Sequence, residues 1–197
     1  MEKKKAITTD KNTIKILKSG NQKLIELAIE DLRENGNSAY IPFILEILHT
    51  TDQQEIKKKI LSLFSELKQR KAIPELMKAL QNKEYKNEWN NILQSCWENG
   101  MDYSKFLPVF IDLAISEDFM TALDSCTVIT GMTGEISDST YQTESRKIKE
   151  ALLTEESKKK EILQDILEFL PNLKEESEPD HYIDPNYIDP EDIDPEE

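Results

Sequence analysis

Along most of this chain the hydrophobic positions recur at intervals of three and four residues, the spacing that lines one face of an α-helix. Three of these runs share an opening: "YIPFILEIL" at 40–48, "AIPELMKAL" at 72–80 and "FLPVFIDLA" at 106–114. Pro42, Pro74 and Pro108 stand 32 and 34 residues apart, each behind an Ile or Leu. A proline is tolerated in the first helical turn, where its missing N–H would have no helical partner anyway. The prolines therefore mark helix starts. The predicted buried faces are Ile44, Leu45 and Leu48; Leu76, Met77 and Leu80; and Phe110, Ile111 and Ala114.

Upstream of each proline lies a second amphipathic run: "LIELAIEDLRENG" (24–36), "IKKKILSLFSEL" (56–67) and "WNNILQSCWENG" (89–100). Aligned by their ends, Ile29, Leu61 and Leu93 form one column and Leu32, Phe64 and Cys96 another. Gly36 and Gly100 fall where a helix commonly terminates on glycine. A fourth unit begins at "FMTALDSCTVITGM" (119–132), with "DSC" at 124–126 in the register of "QSC" at 94–96.

Paired helices at a period near 33 residues predict a solenoid. The Ile/Leu-Pro openings and the apolar columns resemble the HEAT-like helical repeat family, in its short bacterial form, over roughly residues 20–130. The tetratricopeptide and ankyrin signatures, which share this period, are absent. The resemblance implies a right-handed all-α solenoid of about four HEAT-like hairpins within residues 1–173. The irregular ends serve as caps: "NTIKILKSG" at one side, and at the other an extra helix opened by Ser137 or Asp138, then "EILQDILEFL" (161–170) stopping at Pro171. Residues 174–197 form an expected second unit, a disordered acidic tail.

Charge supports that division. Of the net −14, residues 174–197 contribute eleven acids against one lysine, whereas 1–173 hold 28 acids and 24 lysines and arginines. Phosphate binding needs a basic stripe, so nucleic acid is excluded as the expected partner. Some bacterial HEAT-like folds are lyases or DNA glycosylases, but the glycosylase type would carry a basic, aromatic-rich concave face. No run approaches the roughly 18 apolar residues of a membrane span. "MEKKKAITTD" has the positive start of a signal peptide without an apolar core after it. The expected setting is cytoplasmic, and the Lys- and Asn-rich, Arg-poor usage fits an AT-rich bacterial genome.

Candidate chemistry is sparse. The two histidines, His49 and His181, are far apart in sequence, and no His/Cys/carboxylate spacing matches a metal site. "GMTG" at 131–134 lacks the frame of a phosphate loop and is read as a helix terminator. Cys96 and Cys126 are read as small buried hydrophobes. Neither a catalytic set nor a cofactor is predicted.

Recognition is the remaining class. In HEAT-like solenoids the second helix of each hairpin usually lines the concave surface. Its non-core columns here are Phe43/Glu75/Val109, Glu46/Lys78/Asp112 and Thr50/Asn82/Ser116. This mixture suits a protein or peptide better than a polyanion, and is set against an inert solvated face. Trp97 shares a column with Arg33 and Ser65, so the periodic core does not require an aromatic there. It is expected to pack under the "MDYSKF" turn; exposed, it would be a binding anchor. The tail repeats Ile-Asp-Pro three times at a stride of five, with Tyr182, Ile183, Tyr187 and Ile188 spaced among acids. Either it solubilises, or it is a multivalent motif that docks on a partner or on the protein's own groove. The expected function is a monomeric, non-catalytic scaffold or adaptor with a protein or peptide partner. The alternative is an inhibitory or immunity-type protein that neutralises a basic enzyme, its tail mimicking a polyanion.

Overall fold

A computed structural model describes residues 10–174. Ten α-helices account for most of them: α1 (Lys11–Leu17), α2 (Gln22–Asn35), α3 (Ile41–Thr50), α4 (Gln54–Ser65), α5 (Ile73–Gln81), α6 (Trp89–Asn99), α7 (Leu107–Ser116), α8 (Phe119–Thr130), α9 (Asp138–Leu152) and α10 (Lys159–Phe169). No strand occurs among the described residues; a lone bridge joins Ile136 to Lys174.

Seven of the ten helices start in one of two ways. A side chain caps α1, α2, α8 and α9: Asp10, Asn21, Asp118 and Ser137 each accept a hydrogen bond from the backbone N–H three residues on. This satisfies one of the free amides of the first turn. The proline helices have no such cap. Each of α3, α5 and α7 grows out of a three-residue 3-10 turn, at Ser38–Tyr40, Arg70–Ala72 and Ser104–Phe106, with its proline in the first turn. The proline removes one donor, and the preceding turn uses others.

Packing proceeds in two rows. In one, α2 touches α4, α4 touches α6, α6 touches α8 and α8 touches α10. In the other, α1 touches α3, and contact continues through α5 and α7 to α9. Contacts of α1 with α2, α3 with α4, α5 with α6, α7 with α8 and α9 with α10 join the rows. One continuous core runs between them. The predicted faces of α3, α5 and α7 are all buried, as are Leu32, Phe64 and Cys96. In the other column Ile29 and Leu93 are buried, but Leu61 is only half-buried; its neighbours Ile60 and Leu63 carry the core contact. Two adjacent apolar residues, Ile60 and Leu61, left the face of α4 open to a turn by one position.

The two helix-ending glycines differ. Gly100 adopts φ 62°, ψ 24°, the left-handed region that a Cβ disfavours. Gly36 is extended, and is suited to glycine because a Cβ would collide with the Leu32 carbonyl oxygen. At the far end, Leu170 and Leu173 are buried, and the Ile136 N–H donates to the Leu173 carbonyl at 2.7 Å. Lys174 pairs with Asp138 at 2.9 Å and lies over the Tyr141 ring. Tyr182, Ile183, Tyr187 and Ile188 lie outside the described residues.

Candidate protein-binding surface

Helices α3, α5 and α7 start alike and pack in succession, so equivalent positions fall in register on their outer side. The column Glu46, Lys78, Asp112 is exposed on all three, and each charge has a partner. Lys18, at the end of α1, reaches Glu46 at 3.5 Å and stands 5.5 Å above the Phe43 ring. Lys78 pairs within its own helix with Glu75 at 2.7 Å. Asp112 meets Lys147 of α9 at 2.9 Å, and Lys147 also pairs with the buried Glu144 at 3.1 Å. Desolvation works against the charge on Lys147, but its hydrogen bonds to Asp112 and Glu144 outweigh that and raise its pKa above the ordinary lysine value. Lys147 extends the alternating row by one helix; the broken period after Met132 hid it from the sequence pattern.

The third column is polar and locally occupied. The Thr50 hydroxyl donates to the Glu46 carbonyl and the Ser116 hydroxyl to the Asp112 carbonyl, both at 2.7 Å. The Asn82 side chain accepts from the Glu84 N–H at 3.0 Å.

Three depressions lie along this row. A cleft of about 410 Å³ has Leu17, Ile25, Phe43, Ile47 and Ile56 in its wall, with Lys18 and Glu46 among its lining. One of about 190 Å³ brings Val109 and Asp112 to Leu80 and Trp89. One of about 460 Å³ lies between Asp112, Ile115 and Lys147. Phe43 and Val109 are half-buried, each offering part of an apolar side chain beside a compensated charge. A further cavity of about 260 Å³ sits off this row, by the turns after α2 and α4. Polar groups there are spent internally: the Gln69 amide donates to the Gly36 carbonyl at 3.0 Å, and the Lys68 ammonium to the Asn99 carbonyl at 2.7 Å.

Trp97 does not join this surface. It is on α6, in the other row, and is 44% exposed rather than covered by the following turn. It belongs with apolar side chains that sequence reasoning passed over: Leu24 and Leu27 on α2, and Phe119, Met120 and Leu123 on α8. The signal was present, since Leu24 and Leu27 lie off the stripe made by Ile25, Ala28, Ile29 and Leu32.

The remaining candidates are engaged within the fold. Cys96 is buried, and desolvation pushes its thiol up to about 12, against a hydrogen bond with Tyr103 that works the other way. Cys126 is half-buried and is also shifted upward, chiefly by desolvation and then by Asp165. A raised pKa suppresses the thiolate, which is the reactive form. His49 Nδ1 lies 3.2 Å from the buried Glu88 carboxylate, with the Tyr85 ring alongside. The 131–134 segment ends α8 at Gly131 and is tied down by Asp102, whose Oδ1 accepts from the Thr133 and Gly134 amides at 3.3 and 3.1 Å. Among the described residues no group of three or more His, Cys, Asp or Glu side chains is placed to hold a metal ion, and no helix is long and apolar enough to cross a membrane.

Comparison with family models and with curated proteins found no match to this chain.

Proposed function

We propose that this protein is a non-catalytic interaction scaffold that presents the α3–α5–α7 face to a protein or peptide. In this reading the two rows of helices form a right-handed α-solenoid of HEAT-like hairpins, and the row from α1 to α9 is its concave side. The observation that carries the proposal is the repetition of one surface across neighbouring helices: partly exposed apolar side chains beside charges already paired. A polyanion would find no net positive field there. A peptide would find apolar depressions, with ion pairs that can be exchanged at small cost, since exposed pairs contribute only about 0–1 kcal/mol.

The test is capture on tagged full-length protein, compared with Val109→Asp and Glu75→Lys variants that retain their helical signal. The proposal expects a bound protein to be lost from both variants and kept when salt rises from about 0.05 to 0.3 M. Capture insensitive to the variants would refute it. The inhibitor reading makes the opposite forecast: affinity would fall steeply with salt and depend on the eleven acids of 175–197.

A further inference from the structure

The 410 Å³ cleft at the α1 end has the makings of a peptide pocket, and its charged surroundings select for an acidic peptide. Lys18 stands at the cleft over Phe43. Lys11 and Lys15 precede it at intervals of four and three, and so share its side of α1. Among the described residues neither Lys11, Lys15 nor Lys23 has a carboxylate within ion-pair distance, whereas the charged row on α3, α5 and α7 is fully paired. Residues 1–24 hold seven lysines and two acids. The opposite composition occurs in one other stretch of the chain: 175–197 holds eleven acids and no lysine or arginine, with Tyr-Ile-Asp-Pro written at 182–185 and again at 187–190.

We infer that the cleft is occupied in cis by the second of these motifs, Tyr187-Ile188-Asp189-Pro190. Tyr187 and Ile188 enter the apolar wall of Phe43, Ile47 and Ile56, and Asp189 takes Lys18 in exchange for its exposed partner Glu46. Volume permits it, because peptide and ligand pockets run from about 300 Å³ upward. Reach permits it as well. Lys174 is held beside the start of α9, which belongs to the same row as α7, α5 and α3. Three steps between packed helices, at about 8–10 Å each, come to about 30 Å. Thirteen residues from Lys174 to Tyr187 span at most about 45 Å. The inference rests on the peptide-binding reading above and names one occupant for part of that face.

The experiment places a photoreactive benzoylphenylalanine at Tyr187 in the full-length chain, irradiates it, and maps the links by mass spectrometry. Links within one chain to peptides covering 17–25 or 43–56 are expected. Lys18→Glu, a change at an exposed pair, should cut their yield about fivefold, the scale of reversing one surface charge contact. Phe43→Ser should abolish them, with the melting temperature measured alongside. Links to other surfaces, links joining isotopically distinct chains, or a yield unmoved by Lys18→Glu would overturn the inference. An outside protein still held by the α3–α5–α7 face, with no such link, would leave the scaffold reading intact and remove the tail as occupant.

Discussion

Phe64 has no exposed surface, and its carbonyl takes a hydrogen bond from the Asn99 amide at 3.3 Å. Truncating it opens a cavity between two neighbouring helices as well as losing transfer energy. Phe64→Ala should therefore lower unfolding free energy by about 3–5 kcal/mol in denaturant titration. Leu61→Ala, at a half-buried position one residue off the core, should cost only about 1–2 kcal/mol. Asp102 illustrates the polar side of the same economy. Burial alone would raise its pKa, but hydrogen bonds from the Ser104 hydroxyl and amide and from the Gly134 and Thr133 amides outweigh it, and the carboxyl sits below its ordinary value. A carboxyl depressed on folding stabilises the protein above its unfolded pKa, near 3.9, and loses that contribution as pH falls through the folded value. The gap in melting temperature between wild type and Asp102→Asn should thus be full above about pH 5, begin to narrow near pH 4 and close only as pH falls through the depressed folded value. The thiols give a third test. Cys96, pushed up to about 12, should resist a disulfide reagent at pH 8 until the protein unfolds, and the half-buried Cys126 should react first.

Among the elements, α3, α5 and α7 were legible because their signal is local backbone chemistry: a proline in the first turn and an apolar stripe after it. Their buried faces follow from the same spacing. What the spacing could not supply was long-range partnership. Lys159 donates to the carbonyls of Ile115 and Glu117 at 2.8 and 2.9 Å, satisfying the end of α7 from 44 and 42 residues away. Nothing in the local sequence marks that lysine out from its neighbours Lys158 and Lys160. The site divides in the same manner. The columns Glu46/Lys78/Asp112 and Phe43/Glu75/Val109 were visible by period, but the cleft beside Phe43 depends on α1 packing against α3. Trp97 was recognised as surplus to the core, yet its layer and exposure depend on α6 and its neighbours. The glycine after α6 offers an element-level check: Gly100→Ala should cost about 1 kcal/mol, since an L side chain disfavours φ 62° there.

At the scale of the molecule, contact passes from each helix to the next in its row, so stability should depend on the ends being closed. Leu170 and Leu173 are buried and Lys174 is tied to Asp138. A chain ending at Lys174 should keep its helical signal and one cooperative thermal transition, whereas one ending at Phe169 should melt earlier and less cooperatively. The proposed function belongs to this scale too, because it rests on three neighbouring helices rather than on any single side chain. Amide hydrogen exchange on the protein with and without its captured partner addresses that most directly. The account predicts added protection along 41–50, 73–81 and 107–116, with little change on α2, α4 and α6. Protection concentrated on α2, α6 and α8, around Leu27, Trp97 and Met120, would contradict it.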